Sequence, residues 1–318
     1  MRIAVMATGA VGGYFGARLV QAGHEVAFVA RGRQLEALRD HGLRVYSPLG
    51  DVHLPDIEVT DEPARIGTAD LVLFTVKLWD TTEAAAAIKP LIGGNTAVLS
   101  FQNSVVKDDI LRQALGAEHI IGGVCYIAAA IAEPGVIRHS GTLAKLVFGE
   151  YDGSRSARVR QFGDACADAG IDAEISDRIE QVIWEKFVFL VGVSGTTSLA
   201  RSVIGPIRSH PGSRAFLRDA MAEVVQVARV QGVPLPADYA DDRLAFVDQM
   251  DPSASSSMHR DLEQGNRLEV DWLSGDVVER GTRLGVATPC NRAIADILSI
   301  YSQGDGAAVT GRDPLKPR

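Results

Sequence analysis

Short apolar runs alternate with amphipathic stretches through the first half of the chain. Four runs have the length and composition of buried strands: Ile3–Met6, Glu25–Val29, Leu71–Val76 and Ala97–Phe101. The stretches between and after them carry apolar residues at helical spacing: Val11–Ala22, Arg33–Asp40, Thr81–Leu91 and Val106–Leu115. Strands that alternate with helices predict a parallel sheet covered by helices on both faces.

The pattern changes after residue 119. The stretch Ile120–Phe148 is β-rich, contains the turn sequence Glu133-Pro134-Gly135, and is expected to add strands at the far edge of the sheet. A helix over Arg155–Ala169 and a short strand over Ile171–Ile175 are predicted to follow.

Beyond Ser176 the chain has an almost wholly helical pattern. The apolar spacing predicts helices over 178–196, 211–231, 238–250, 255–285 and 289–302. We therefore predict an α/β domain over 1–176, doubly wound with a mostly parallel sheet, and an all-α C-terminal domain over 177–303. Residues 304–318 lack apolar anchors, so we predict a disordered tail there.

Composition narrows the function classes. The 318 residues are 46% apolar and 23% charged, which is typical of a soluble globular protein with a sizeable core. A net charge of −8 argues against nucleic acid or an acidic membrane surface as the main partner. Neither an export signal nor an uninterrupted apolar run of about 20 residues is recognisable, which predicts a cytoplasmic location.

The three cysteines are far apart in the sequence: Cys125, Cys166 and Cys290. None of them has the spacing of a metal or redox pair, so we predict no metal site. Each is expected to be a small buried apolar residue in a reducing compartment. His139, in the β-rich stretch, is expected to have a structural role or to lie at the rim of the site, rather than to act as a catalytic acid.

The turn after the first strand has the composition of a phosphate-binding loop. Its sequence, Ala7-Thr8-Gly9-Ala10-Val11-Gly12, lacks the first glycine of the dinucleotide fingerprint Gly-x-Gly-x-x-Gly but keeps the second and third. Gly9 would let the backbone approach a pyrophosphate, Gly12 would let helix and strand pack closely, and the helix N-terminus offers N–H groups to phosphate. We therefore predict a Rossmann-type site at residues 7–12. Its Ala7 is strained if its backbone is left-handed, and its Thr8 hydroxyl either contacts phosphate or caps the helix.

The end of the second strand predicts which cofactor binds. An acidic residue there would bind the ribose 2′-hydroxyl of NAD, whereas an arginine would accept the 2′-phosphate of NADP. The strand ends in Arg31, Arg33 follows, and no acidic residue lies between them. We predict NADPH/NADP with Arg31 as the main phosphate contact; the alternative is that Arg31 is a solvated surface residue.

The stretch Glu180–Gly195 is an apolar helix with a lysine in its middle. Lys186, Leu190 and Ser194 are spaced i, i+4, i+8 and share one face. Lys186 either extends to water or is held desolvated in a cleft, where a lowered pKa would make it a proton donor near neutral pH.

Several ordered motifs resemble one family over about residues 1–302. They are TGAVGGYFGARL, LFTVKLWDT, SFQNSV, IAEPGVIRHSG, WEKFVFL, SSMHRDLEQG and LEVDWLSGDVVERG. With these motifs the chain is similar to the ketopantoate reductases (2-dehydropantoate 2-reductases). The resemblance implies an N-terminal Rossmann domain, a helical C-terminal domain, and NADPH-dependent reduction of ketopantoate to pantoate in pantothenate and coenzyme A biosynthesis.

The resemblance also implies roles for single residues. Lys186 matches the catalytic lysine that protonates the alkoxide as hydride arrives. Glu269 matches the glutamate that orients the hydroxyl end of the substrate and is also expected near the cofactor. Ser257 matches a serine that contacts the substrate carboxylate. Asn103 matches an asparagine between nicotinamide and substrate, and Lys77 matches a lysine near the nicotinamide ribose.

The chain departs from the family pattern on the substrate side. Family members often carry asparagines four and eight residues after the lysine, where this chain has Leu190 and Ser194. Leucine cannot donate a hydrogen bond, and serine reaches less far than asparagine. Ser104 replaces the glycine of the usual Gln-Asn-Gly. The cofactor machinery is therefore expected to be intact while the substrate contacts have changed.

Two of the implied site residues have structural alternatives. Glu269 could be a helix-surface acid paired with Arg267 or Arg280. Ser257 could be the N-cap of a helix that starts near Met258.

Three functions are compatible with the sequence. The first is a ketopantoate reductase acting on a small-molecule 2-oxo acid. The second keeps the fold and cofactor but acts on a different keto or hydroxy acid. The third is a non-catalytic NADP-binding sensor. A homodimer through the C-terminal helices is also expected.

Overall fold

The computed structural model describes residues 1–304. The chain divides into two compact units, Met1–Ile183 and a second that starts at Trp184. The predicted domain boundary at residue 176 stays a prediction. Apart from Gly304, the predicted tail 304–318 lies outside the described residues.

The first unit combines a large sheet with helices. Its strands are β1 (Arg2–Met6), β2 (Glu25–Val29), β3 (Leu43–Tyr46), β4 (Val52–Leu54), β5 (Glu58–Thr60), β6 (Leu71–Phe74), β7 (Ala97–Ser100), β8 (Ile120–Glu133), β9 (Val136–Gly149) and β10 (Asp172–Ile175). Its helices are α1 (Ala10–Gln21), α2 (Gly32–His41), α3 (Thr81–Ala87), α4 (Val106–Leu115) and α5 (Ala157–Asp168). Short 3₁₀ turns cover Pro63–Arg65, Leu78–Asp80, Lys89–Leu91 and Ala117–His119.

The strand order confirms a doubly wound, mostly parallel sheet. The order is β4-β3-β9-β8-β7-β6-β1-β2-β5, with β10 beside β9. All neighbours from β5 to β8 are parallel. The hairpins β8–β9 and β3–β4 are antiparallel, and they make the sheet mixed at its far end.

Successive residues of β1 pack into two hydrophobic clusters, one on each face of the sheet. Ile3 and Val5 face a cluster that includes Phe15 of α1, whereas Ala4 faces a cluster that includes Ala84 of α3. Because side chains alternate across a strand, helices must cover both faces of this sheet. All three of these β1 side chains are fully buried.

Three short strands were not predicted from the sequence. β3, β4 and β5 have three or four residues each, too few for a period of two to be recognised. β3 pairs with β9, whose residues lie about 90 positions later in the chain. Such pairing is decided by tertiary contacts rather than by local pattern.

The second unit is helical. Its first helix, α6 (Ile179–Ala200), begins in the first unit and continues into the second. The others are α7 (Ile204–Ser209), α8 (Pro211–Val230), α9 (Tyr239–Gln249), α10 (Ser257–Glu263), α11 (Ser274–Leu284) and α12 (Pro289–Leu298), with 3₁₀ turns at Val270–Trp272 and Ser299–Tyr301.

The prediction of one helix over 255–285 was wrong. α10 ends at Glu263, and Gly265 then adopts a positive φ of 67°, which glycine tolerates and a helix does not allow. The Asn266 amide donates to Asp261 and the Asn266 N–H bonds the Asp261 carbonyl, so the chain turns back on itself there. Residues 264–269 are therefore a loop between two helices.

Among residues 1–304, one helix is long and apolar enough to cross a membrane by length and composition, although charged residues interrupt its apolar run. It is α6, with 22 residues and a mean hydropathy of 1.2 in its most apolar window. Since 67% of that window is buried inside the protein, α6 has the character of a core helix.

A buried carboxylate fixes the start of α12. Both Glu223 carboxylate oxygens accept hydrogen bonds there, from the N–H of Cys290 at 2.7 Å and from the N–H of Asn291 at 2.9 Å. An anion at a helix N-terminus satisfies free N–H groups and interacts favourably with the helix dipole.

Candidate cofactor and active site

The turn after β1 holds Ala7 in a left-handed conformation. Its φ is 74°, so the backbone geometry that the fingerprint normally assigns to glycine is retained without glycine. Thr75, just after β6, donates its hydroxyl hydrogen to the Ala7 carbonyl at 2.8 Å and also lies 3.1 Å from the Met6 carbonyl. The neighbouring strand thus stabilises the strained turn.

The two glycines that remain have different surroundings. A Cβ added to Gly12 would lie 2.3 Å from Thr75 Oγ1 and 2.6 Å from the Ala7 carbonyl, so only glycine lets α1 pack this closely on the sheet. A Cβ added to Gly9 would meet no atom within 4 Å. Gly9 is also the N-cap of α1, and no side chain caps the helix there. This open, uncapped helix N-terminus fits a dinucleotide pyrophosphate.

Thr8 has a different role from the two that were considered. Its hydroxyl and its N–H both donate to the Val29 carbonyl, at 3.0 and 2.9 Å, and the side chain is buried. The hydroxyl therefore does not cap α1, and neither donor is left for a phosphate. Thr8 instead ties the turn to the end of β2.

Replacing Ala7 with glycine is expected to stabilise the first unit. The left-handed strain of about 1–2 kcal/mol disappears, while the added unfolded-state entropy costs less, so the free energy of unfolding should rise by up to about 1 kcal/mol. Urea denaturation measures this, and NADPH should bind at least as tightly as before.

Ala22 provides the matched control for this change. It ends α1 with a negative φ of −79°, so Ala22→Gly relieves no strain and should destabilise the unit. A tenfold weaker binding of NADPH to the Ala7→Gly variant would contradict this account of the turn.

Arg31 lies where the sequence places it, at the end of β2. Its backbone is the N-cap of α2 and its side chain is largely exposed. The structure adds an acidic neighbour that the sequence did not reveal: Arg31 Nη2 donates to Asp80 Oδ2 at 2.8 Å. Arg33 follows on α2 and is exposed.

Lys77 and Asn103 follow neighbouring parallel strands. Lys77 comes three residues after β6 and is exposed, and Asn103 comes three residues after β7 and is half-buried. Since β1, β6 and β7 are adjacent and parallel, both residues and the Ala7–Gly12 turn lie at the same edge of the sheet. A ligand along the carboxyl ends of parallel strands binds at this edge.

A buried network connects the loops that carry Lys77 and Asn103. The Ser100 hydroxyl donates to Gln102 Oε1 at 3.0 Å, and Gln102 Nε2 donates to the Thr81 hydroxyl at 2.7 Å. Thr81 in turn donates to the Leu78 carbonyl at 2.7 Å. These side chains hold the two loops in a fixed relative position.

A buried ion pair at the start of α4, between Lys107 and Asp108, supports the loop that carries Asn103. Lys107 Nζ lies 2.7 Å from Asp108 Oδ2 and donates to the Ser100 carbonyl at 3.0 Å, and both charged side chains are essentially fully buried. The Tyr151 hydroxyl donates to the same Asp108 oxygen at 2.6 Å. Burial and the Asp108 carboxylate raise the pKa of Tyr151 well above its usual value, so the phenol remains a donor.

The predicted catalytic lysine lies on α6. Lys186 and Leu190 are half-buried and Ser194 is buried, and all three project from one side of this helix, as the spacing predicted. Two aromatic residues close to Lys186 in the sequence, Trp184 and Phe187, are buried with their rings edge to face, 5.7 Å apart.

Ser257 does not cap α10. The N-cap is Ser256, whose hydroxyl accepts from the His259 N–H at 3.0 Å and hydrogen-bonds Thr197 of α6 at 2.9 Å. This contact anchors the start of α10 to α6 one turn beyond Ser194. Ser257 is exposed, so the capping alternative is wrong and its hydroxyl remains a candidate contact for substrate.

Glu269 is not on a helix surface. It is the N-cap residue of the 3₁₀ turn Val270–Trp272, at the end of the loop that interrupts the predicted long helix, and it is half-buried. Arg280, one of its two proposed partners, donates to Asp276 Oδ2 at 2.8 Å, with both side chains almost fully buried.

His139 and the three cysteines have residue types that could act in catalysis, but their contacts or their burial indicate structural roles. His139 is buried between the Ser47 hydroxyl at 2.9 Å and the Leu143 carbonyl at 3.1 Å, which agrees with its predicted structural role. Cys125 and Cys166 are buried as expected, whereas Cys290 is only partly so. Burial raises the pKa of the Cys166 and Cys290 thiols to about 12, so neither is a thiolate nucleophile.

Comparisons with known proteins cover nearly the whole chain. Residues 3–153 match the family Ketopantoate reductase PanE/ApbA, and residues 178–302 match its C-terminal domain. The chain is 30% identical over 302 residues to the uncharacterized oxidoreductase YkpB of Bacillus subtilis, covering 95% of this chain and 99% of that protein. It is 34% identical over 309 residues to the 2-dehydropantoate 2-reductase of Halobacterium salinarum, covering 96% and 100%.

The crystal structure of a PanE/ApbA family ketopantoate reductase from Ralstonia eutropha JMP134 has the same fold. Its TM-score is 0.87 at 34% identity, with 95% of this chain and 98% of that chain covered. The chain therefore belongs to the ketopantoate reductase family and is an oxidoreductase that acts on a hydroxyl/carbonyl pair with a nicotinamide cofactor.

Proposed function

We propose that this protein reduces 2-dehydropantoate to pantoate with NADPH, the step that serves pantothenate and coenzyme A biosynthesis. The observation that carries the proposal is a lysine, Lys186, on a buried apolar helix of a chain that matches the family over both units. The relative from Halobacterium salinarum carries this enzyme name at full length.

The first unit provides the groups that would hold the cofactor. Gly9 and the N–H groups of Ala10 and Val11 at the start of α1 would bind the pyrophosphate. Arg31 would bind the 2′-phosphate, for which a guanidinium has the matching planar donor geometry. Lys77 and Asn103, from the two adjacent loops, would contact the nicotinamide end.

The second unit provides the groups for the substrate. A reduced nicotinamide, when bound, would supply the hydride for the carbonyl carbon. Lys186 donates a proton to the carbonyl oxygen, where negative charge develops, and this completes the new hydroxyl group. Glu269 would orient the hydroxyl end of the substrate and is also expected to contact the cofactor, and the exposed Ser257 hydroxyl would bind the substrate carboxylate.

Steady-state oxidation of NADPH tests the proposed reaction. Ketopantoate should be turned over with a kcat/KM at least tenfold above that of other 2-oxo acids, and NADPH should be preferred to NADH. Absence of turnover at millimolar ketopantoate, together with turnover of another 2-oxo acid, would overturn the choice of substrate. Equal kcat/KM for NADH and NADPH would overturn the choice of cofactor.

A second substrate class is favoured by one observation. Leu190 is half-buried one turn after Lys186, at a position where an asparagine would hydrogen-bond a polar substrate. A pocket with leucine there loses this polar discrimination and accepts a 2-oxo acid with an apolar side chain. The same assay with a panel of branched and aromatic 2-oxo acids distinguishes the two classes.

The remaining alternatives are less well supported. A non-catalytic sensor would have no need for both Lys186 and Glu269. A cytoplasmic location and a homodimer through the C-terminal helices stay predictions.

A further inference from the structure

The side chain of Asp80 reaches the one arginine that the sequence assigns to the cofactor phosphate. Arg31 and Asp80 are 49 residues apart, yet Arg31 Nη2 lies 2.8 Å from Asp80 Oδ2. The Arg31 side chain is 72% exposed and that of Asp80 only 25% exposed. The Arg31 guanidinium is thus accessible to a ligand, whereas most of the Asp80 side chain is buried.

Asp80 is fixed in place by the turn that carries it. It ends the 3₁₀ turn Leu78–Asp80 and is the N-cap residue of α3, but its carboxylate makes no capping bond. An aspartate at this position normally accepts a hydrogen bond from the first turn of the helix. Leu78 and Thr81 are both about 1% exposed, and the Thr81–Leu78 hydrogen bond closes the turn.

The Asp80 carboxylate offsets the positive charge of Arg31 at this site. The 2′-phosphate of NADPH carries a charge of about −1.5 to −2 at neutral pH and needs an uncompensated cation. Arg31 is compensated by Asp80, whereas Arg33, two residues further along the chain, is exposed and adds positive charge. The guanidinium has further N–H donors, so a phosphate that binds Arg31 shares it with the Asp80 carboxylate and lies next to that negative charge.

We propose that Asp80 is a cofactor-specificity residue, whose carboxylate competes with the 2′-phosphate for Arg31 and limits the preference for NADPH over NADH. NADH carries a ribose 2′-hydroxyl instead of the phosphate. This hydroxyl can donate a hydrogen bond to a carboxylate. The acid therefore disfavours one cofactor and not the other. This inference rests on the proposed use of a nicotinamide dinucleotide at Arg31.

The variant Asp80→Asn tests the competition with almost no change in side-chain volume. Dissociation constants for NADPH and NADH are measured on the full chain without substrate, by the fluorescence of the reduced nicotinamide. Two negative charges a few ångströms apart at a protein surface repel each other by about 1 kcal/mol. Because Asp80→Asn removes this repulsion of the 2′-phosphate, we expect the variant to bind NADPH roughly five- to tenfold more tightly than the wild type does. NADH should change by less than about twofold, and salt near 1 M should reduce the gain for NADPH.

The control is Asp248→Asn, which removes the same charge from an exposed ion pair with Arg214, 2.6 Å apart, in the helical unit. It should leave both dissociation constants unchanged. The inference is overturned if Asp80→Asn leaves the binding of NADPH unchanged, or weakens it because Asp80 serves only to position Arg31. Wild-type protein that binds neither dinucleotide would refute the proposed function itself, which is a different result.

Discussion

The variant Lys186→Ala is expected to lose about 10²- to 10⁴-fold in kcat for NADPH-dependent reduction, which is the usual contribution of a positioned general acid. The dissociation constant for NADPH should stay within about twofold of the wild-type value, because the groups proposed to bind the cofactor phosphates lie in the other unit. Single-turnover and steady-state kinetics with a saturating 2-oxo acid measure the two quantities separately.

A second substitution separates proton donation from simple charge. Lys186→Arg keeps the positive charge, but a guanidinium holds its proton too firmly to donate it near neutral pH. Lys186→Arg should therefore keep the electrostatic attraction for the substrate but show the same loss in kcat as Lys186→Ala. Lys145→Ala is the matched control, since Lys145 forms an exposed ion pair with Glu174 at 2.7 Å in the first unit. An unchanged kcat in Lys186→Ala would refute both enzymatic hypotheses.

The variant Lys107→Met is expected to lower the free energy of unfolding of the first unit by about 3–5 kcal/mol, because Asp108 would be left as an uncompensated buried charge. Methionine keeps most of the side-chain length, so little of the effect should come from a cavity. Urea denaturation followed by the fluorescence of Trp79, in a background without Trp184 and Trp272, reports on this unit.

The double variant Lys107→Met/Asp108→Asn provides the internal check. Asparagine removes the buried charge and still offers an oxygen to the Tyr151 hydroxyl, so the double variant should be more stable than the single one. If Lys107→Met lowered the free energy of unfolding by less than about 1 kcal/mol, water would have to reach the Lys107–Asp108 pair, and the expectation of an uncompensated buried charge would be wrong.

Local pattern predicted the elements that are long or bounded by clear turn signals. β1, α1 and β2 begin and end within one or two residues of their predicted positions, and α4 agrees at both ends. These elements have uninterrupted periodicity and glycine-rich boundaries, so little competes with the local signal. The long helix over 255–285 failed because apolar spacing continues through Gly265, whose backbone conformation ends α10.

The candidate site shows the same division between local and tertiary information. The glycine turn at residues 7–12 and the spacing of Lys186, Leu190 and Ser194 follow from short segments, whereas the structure decided that Ala7 is left-handed. The hydroxyl of Thr8 could not be assigned from the sequence, since its partner Val29 belongs to another strand.

The sequence by itself determined the alternation of the longer strands and helices in the first unit, the helical character of the second, the glycine turn and the family, because each depends on residues close together in the chain or on motifs in a fixed order. Only the tertiary structure decided which groups surround these residues. It brought Asp80 to Arg31 and buried Lys107 against Asp108 below the Asn103 loop. It also made Ser256, and not Ser257, the N-cap of α10. The Arg31–Asp80 pair depends on sheet order and on loops that end at the same edge, and the burial of Lys107 and Asp108 depends on the elements packed over them, so neither is encoded in a local hydrophobic pattern.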